Sequence, residues 1–123
     1  MSFFNPSRRA KTKRTRQYHK VPVKDVGIDH QILYLHAAMA EKCFANPDLF
    51  SEIEAKIEMR YAAKQMNYAA YLTWLSILEL QDKPAQFKAA LLEKTVKMRN
   101  MRRATVFTQL LSEEERVNVI NQL

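Results

Sequence analysis

The sequence predicts an all-α fold: a three- or four-helix bundle or hairpin assembly with a long central helix and an extended basic N-terminal arm. The chain of 123 residues has the size of one domain and contains a single Gly. So little glycine argues against a turn-rich β-sandwich and excludes a glycine-rich phosphate loop. From residue 29 onward, strong helix formers dominate, and apolar residues recur at spacings of three and four.

The charge pattern divides the chain into a basic arm over residues 1–28 and a helical domain over residues 29–123. Residues 1–24 hold eight Lys and Arg and no acid, whereas residues 25–123 hold twelve bases against thirteen acids. Pro6 and Pro22 interrupt the arm, which shows little apolar periodicity. The arm therefore carries the whole excess of the +7 net charge.

The first helix is expected over residues 30–45, after Asp29 as an N-cap. Its apolar stripe is formed by Ile32, Leu35, Met39 and Cys43. Residues 46–48 (Asn-Pro-Asp) are expected to end this helix and start the next, because Pro suits a first helical position.

The second helix is expected to run from residue 47 to about 80, with a possible kink near Asn67. Its stripe includes Ile53, Ile57, Leu75 and Leu78. Such a helix is long for a compact monomer, which favours a homodimer.

The third helix is expected from about residue 84 to 104, with Phe87, Leu91 and Met98 facing inward. Residues 105–111 are rich in β-branched side chains, so their secondary structure is ambiguous. We interpret them as a helix end and connector. The Ser-Glu-Glu-Glu sequence from Ser112 is a capping box that opens a short last helix.

The basic arm predicts contact with a polyanion, because cationic side chains neutralise phosphates without reading sequence. Tyr18 beside these charges favours stacking on a base. The predicted phosphate contacts of the arm are Arg8, Arg9, Lys11, Lys13, Arg14, Arg16 and Lys20. Three alternatives stay open: an acidic protein partner, a solvated arm that aids solubility, and an organelle transit peptide.

A second basic cluster is predicted on the third helix, continuous with the arm. Its members are Lys94, Lys97, Arg99, Arg102 and Arg103. The alternative is an ordinary solvated helix face, since Lys and Arg make up most helix exteriors.

The aromatic side chains fit contact with a protein partner. Phe3 and Phe4 have no core to enter within the arm, so they are predicted anchors. Tyr61, Tyr68 and Trp74 are predicted at a partner interface or in the core, and less readily at a base-stacking platform.

The residues that could act in catalysis or bind a metal form no recognisable site in the sequence. We therefore predict that the protein is not an enzyme and needs no cofactor. Cys43 is the only cysteine, which fits a reducing, cytoplasmic location, and with His36 it supplies too few ligands for zinc. No acid–base constellation is recognisable. The chain shows no secretory signal, and no apolar run approaches the roughly 20 residues that span a membrane.

Two segments carry a resemblance to known proteins. LHAAMAEKCFANPDL (residues 35–49) and MRRATVFTQLLSEEER (residues 101–116) are similar to the opening and closing segments of small, largely uncharacterised bacterial helical proteins, some from toxin–antitoxin-like or mobile loci. The resemblance covers most of residues 30–120, and the basic arm departs from it. It implies a small bacterial partner or regulator and identifies no individual site residue.

Together these patterns predict a non-enzymatic nucleic-acid-binding accessory or regulatory protein, of DNA or RNA. Its arm would grip the phosphate backbone while its helical body docks on a protein or dimerises. The alternative is a protein-binding module, such as an antitoxin, an inhibitor or a small subunit, whose arm lies in an acidic groove.

Overall fold

A computed structural model describes residues 23–123 of the chain, with side chains from residue 27 onward. Over that range the chain forms six α-helices and no β-strand, which confirms the all-α prediction and agrees with a helical bundle. The helices are α1 (Val23–Ala45), α2 (Asp48–Ala62), α3 (Tyr68–Leu78), α4 (Pro84–Leu91), α5 (Val96–Arg103) and α6 (Glu113–Asn121). None of these six is long and apolar enough to cross a membrane.

Helix α1 is the scaffold of the bundle. It packs against α2, α4, α5 and α6, while α3 packs against α2 and α4. The core lies where α1–α4 meet the connector between α5 and α6, and its largest buried side chains include Trp74, Phe87 and Phe107. The ring of Phe87 makes edge-on contacts with Phe44 and Phe50, with centroids 5.3 and 5.5 Å apart. Such aromatic contacts add to the free energy gained by burying the rings.

Helix α1 begins at Val23, well before the start near residue 30 that the sequence predicted. The boundary between arm and domain therefore falls inside a helix. Asp29 does not cap the helix, and its carboxylate instead accepts a hydrogen bond from Nε of Arg103, 2.7 Å away. The predicted stripe is present, with Met39 and Cys43 buried.

The helix predicted over residues 47–80 is broken just before Asn67, where a kink was predicted as possible, and α2 and α3 are two helices packed against each other. Helix α2 ends with Lys64 in the left-handed region, at φ 61°. The amide of Gln65 then donates to the carbonyl of Arg60, as in a Schellman turn. Asn67 caps α3 by accepting a hydrogen bond from the Ala70 amide at 2.8 Å. The homodimer prediction rested on the length of that helix and loses its basis.

The third predicted helix is also divided, into α4 and α5. Thr95 caps α5 by accepting a hydrogen bond from the Met98 amide. Arg102 turns back and donates to the carbonyls of Leu91 and Glu93, at 2.8 and 2.9 Å. These carbonyls lie at and beyond the end of α4, where no helical donor remains, so a guanidinium there satisfies them.

The last two sequence predictions for this region hold. Residues 104–112 form an irregular connector without a strand. Ser112 and Glu115 make the complete capping box that opens α6. Helix α6 lies against α1, where Nζ of Lys42 is 2.7 Å from the Glu115 carboxylate. This hydrogen bond holds the pKa of Glu115 below its ordinary value.

Candidate functional site

The described part of the chain contains a half-open groove of about 720 Å³. It lies between the turn that joins α2 to α3, the first half of α3, helix α5 and the connector. Three cationic side chains line it: Arg60, Lys97 and Arg103. We refer to this cavity as the basic groove.

Helix α5 supplies one side of the basic groove through side chains spaced three residues apart. Lys97, Asn100 and Arg103 line the cavity, while Met98 is buried on the opposite side of the helix. Residues three apart are neighbours on a helix surface, so a charge, an amide and a second charge follow one another along the groove.

Arg60 of α2 supplies the facing charge and is held in position by the connector. Its Nη1 donates to the Thr105 carbonyl at 2.7 Å, and its Nη2 lies 3.5 Å from the Thr108 hydroxyl. Nζ of Lys56 donates to the Thr108 carbonyl beside it. Because a guanidinium has five N–H donors, Arg60 keeps three for an acceptor other than these protein groups.

The buried His36 of α1 also binds the connector, through a hydrogen bond with Thr105. Nδ1 of His36 donates to the Ile32 carbonyl at 2.8 Å, which leaves Nε2 to accept a hydrogen bond from the Thr105 hydroxyl at 2.8 Å. The Thr105 hydroxyl accepts in turn from the Phe107 amide. Burial, aided by the charge of Arg102, lowers the pKa of His36 to about 4, so the ring is neutral at physiological pH.

Part of the lining of the basic groove is apolar, and we refer to it as the methionine floor. Met66 from the α2–α3 turn and Met101 from α5 are half-buried and line the groove together with Ala70 and the buried Trp74 of α3. Thioether side chains adapt to flat ligands, and an apolar floor with a few convergent polar groups is typical of binding cavities.

No Asp or Glu lines the basic groove. Arg103 pairs with Asp29 of α1, whereas Lys97 has no ion pair with any described acid. Glu93 lines a smaller cavity of about 190 Å³, to which Lys97 also contributes. Because Arg103 is paired with Asp29, the charges of Lys97 and Arg60 give the basic groove its net positive lining, which favours an anion.

Three tyrosines stand beside the groove. The rings of Tyr61 and Tyr71 are stacked, with centroids 4.1 Å apart, and Tyr68 lies 6.1 Å from Tyr61. The Tyr71 hydroxyl donates to Glu58, which raises the pKa of Tyr71. Tyr61 and Tyr68 line a second cavity of about 520 Å³. It shares residues 65–67 with the basic groove, so the two cavities adjoin at the α2–α3 turn.

The structure brings only part of the predicted basic cluster to the groove. Lys97 and Arg103 line it, Lys94 is exposed outside it, and Arg99 is half-buried. Arg102 is 3% exposed and is used to hold the end of α4, so its prediction as a phosphate contact is corrected. The predicted contacts of the arm, including Tyr18, Phe3 and Phe4, lie outside the described residues.

The residues predicted to contact a protein partner differ in their exposure. Tyr68 is 59% exposed and Tyr61 is half-buried. Of the two alternatives predicted for Trp74, the structure shows the core and not the partner contact, because Trp74 is almost fully buried and its ring packs 5.8 Å from that of Phe107.

Sequence reasoning missed Arg60, Asn100 and the connector threonines as groove residues. Arg60 meets Thr105 across 45 positions of sequence, and no local pattern signals such a contact. The spacing of Lys97, Asn100 and Arg103 was visible, but the amide between two charges is not distinctive on its own.

His36 and Cys43 are both buried, on one stripe of α1. Burial raises the pKa of the Cys43 thiol to about 11, so it is protonated at neutral pH and a weak nucleophile. Within residues 27–123, no three His, Cys, Asp or Glu side chains are grouped to hold a metal ion.

No protein-family model matches this chain, and no curated protein or solved structure matches it either. The resemblance to small bacterial regulators stays a prediction. The geometry of the basic groove and the charge of the arm therefore carry the functional argument.

Proposed function

We propose that this protein binds nucleic acid as an accessory or regulatory factor and catalyses no reaction. The observation that carries the proposal is the basic groove, which three cationic side chains line and no acidic side chain enters. Two of the three are arginines, whose planar forked donors match the oxygens of a phosphate.

The basic arm supports the same proposal from the sequence. Seven Lys and Arg and no acid stand between residues 7 and 20. An arm of this composition adds affinity for the phosphate backbone to whatever a folded body recognises. The folded body holds charge of the same sign in its groove, so a polyanion satisfies both features with one ligand.

The second candidate function is a protein-binding module. The observation that favours it is an exposed apolar pair on α3, Tyr68 and Leu72, which are 59% and 44% exposed and lie four residues apart. Residues at this spacing share one helix face, and exposed aromatic and aliphatic side chains of this kind anchor partner proteins.

The arm is tested with a full-length variant in which its seven cationic residues are replaced by Gln. The changed residues are Arg8, Arg9, Lys11, Lys13, Arg14, Arg16 and Lys20. Fluorescence anisotropy follows binding to labelled duplex DNA, single-stranded DNA and RNA across a salt series. If all seven contact duplex phosphates, the slope of log affinity against log salt concentration should become less negative by about 6 in the variant.

A matched control keeps the positive charge of the arm but replaces guanidinium groups by ammonium groups. Arg8, Arg9, Arg14 and Arg16 are replaced by Lys, which should leave the salt slope unchanged. Absence of binding by the native chain to all three nucleic acids at low salt would overturn the proposed function. The protein-binding alternative would then be pursued through Phe3, Phe4, Tyr68 and Leu72.

A further inference from the structure

We infer that the basic groove and the adjoining tyrosine cavity bind an unpaired nucleic-acid strand, with its phosphates against the groove cations and its bases on the methionine floor and on Tyr68. This inference rests on the proposed function and specifies which form of nucleic acid the folded body takes. Four features of the described residues support it, namely shape, floor, hydrogen-bonding groups and aromatic surface.

The shape of the site favours a single strand. Proteins read duplex DNA by inserting a helix or ribbon into a groove about 12 Å wide, which requires a protruding element. Here Lys97 and Arg103 line a concave cavity of about 720 Å³, and Arg60 lines it from another helix. A cavity of this size is in the range that encloses small molecules, and one unpaired nucleotide is such a ligand.

The floor matches the face of a base. Met66 and Met101 are half-buried and line the groove with thioether and methylene groups, and the lining also includes the small side chain of Ala70. Every base has an apolar face, so a floor of this kind accepts bases without selecting among them. The phosphate of the same nucleotide would meet Lys97 or Arg103 on the α5 side.

The hydrogen-bonding groups suit exposed base edges. Asn100 lies between Lys97 and Arg103 on α5, and Gln65 and Asn67 of the α2–α3 turn also line the groove. The Asn67 carbonyl is used to cap α3, which leaves its amide protons as donors. A base in a duplex has its pairing edge occupied, whereas an unpaired base offers it to such amides.

The aromatic surface extends the site beyond the groove. The tyrosine cavity of about 520 Å³ shares residues 65–67 with the groove, and we place the part of the strand that leaves the groove along Tyr61 and Tyr68. Tyr61 is stacked on Tyr71, whereas Tyr68 is 59% exposed and offers ring surface to a ligand. Stacking of a base on an aromatic ring is a general feature of single-strand binding.

The experiment measures the affinity of the full-length protein for a short oligothymidylate, its oligouridylate counterpart and a blunt DNA hairpin, by anisotropy at one salt concentration. Lys97→Glu should weaken binding of both single strands about tenfold or more, because it inverts a groove charge that has no described ion pair. The matched control is Lys83→Glu, the same change at an exposed position outside the groove, which should cost much less.

A second pair of variants tests stacking separately from charge. Tyr68→Leu should weaken single-strand binding about tenfold, and Tyr68→Phe should retain it, because the ring remains. Both changes are at an exposed side chain, so the fold is expected to persist, which circular dichroism checks. Neither variant should alter binding of the hairpin by more than about twofold.

The outcomes separate the inference from the proposed function. Hairpin binding as tight as single-strand binding, with Lys97→Glu no worse than Lys83→Glu, would overturn the inference and leave nucleic-acid binding through the arm in place. Absence of binding to all three probes at low salt would overturn both. Losses for Lys97→Glu and Tyr68→Leu that are confined to the single strands would support the inference, and the two oligonucleotides would show whether DNA or RNA binds more tightly.

Discussion

Phe107→Ala should lower the free energy of unfolding by about 3–5 kcal/mol, the range for removing a buried aromatic side chain. Phe107 lies in an irregular connector, yet its ring is buried and packs against His36, Trp74 and Phe87, with centroids 5.9, 5.8 and 6.3 Å away. Equilibrium unfolding in urea measures the loss. Domains of this size are stable by roughly 5–15 kcal/mol, so the variant would lose a large share of its stability.

Two control variants show whether burial causes the effect. Phe107→Leu keeps most of the apolar volume and should cost less than about 2 kcal/mol. Tyr34→Ala removes an aromatic ring that is exposed on α1 and should cost no more than about 1 kcal/mol. A loss below about 1.5 kcal/mol for Phe107→Ala would contradict the placement of the connector in the core.

Phe107→Ala should also affect the basic groove, because Phe107 lies between two connector residues that bind Arg60. Thr105 and Thr108 hold the guanidinium of Arg60 through the connector, and Phe107 anchors the segment between them. Loosening this anchor should therefore weaken ligand binding in the groove even under conditions where the variant remains folded.

The stability of the protein should fall as pH decreases from about 6.5 to about 4 because of His36. Burial lowers the pKa of His36 from 6.5 to about 4, so in this window the unfolded chain binds a proton that the folded chain does not. The stabilisation is fully present above pH 6.5 and is lost progressively as pH falls to about 4. A shift of this size corresponds to about 3 kcal/mol.

Protonation of His36 would break its hydrogen bond with Thr105. Nε2 of His36 accepts a hydrogen bond from the Thr105 hydroxyl, and a proton there would remove the acceptor and add a buried charge close to Arg102. The test compares urea unfolding of the native protein and His36→Gln between pH 4 and 7. The variant should be less stable at pH 7 and should lose less stability on acidification.

Glu115, whose pKa is lowered by its hydrogen bond with Lys42, also loses stabilisation as pH falls. This contribution is common to both proteins, so the difference between the two pH profiles isolates His36. Parallel profiles would contradict a buried neutral histidine.

Local signals made part of the fold predictable. The apolar stripe of α1 and the Ser112 capping box depend on residues a few positions apart, and both are present. The end of α2 was not predictable, because the residue in the left-handed conformation is Lys64, and helix ends of this type are usually marked by Gly. Without that glycine the pattern over residues 47–80 indicated one helix.

The site was less predictable because distant segments build it. Arg60 is bound to a connector residue 45 positions away, and His36 to the same residue 69 positions away. The spacing of Arg99, Arg102 and Arg103 predicted Arg102 as part of a basic helix face, and only the folded chain shows the carbonyls of Leu91 and Glu93 that accept its hydrogen bonds. The positive charge of α5 was predictable from the sequence. The different contacts of its arginines were not, since Arg102 binds the end of α4 and Arg103 pairs with Asp29.

The most direct test of the central claim is a ¹H–¹⁵N correlation spectrum of the full-length protein titrated with a short oligothymidylate. Binding in the groove should shift the backbone amides of residues 97–104 and 65–70, together with the side-chain amide of Asn100. Shifts confined to residues 1–22, or spread over α6 and the outer face of α1, would contradict the basic groove as the binding site of the folded body.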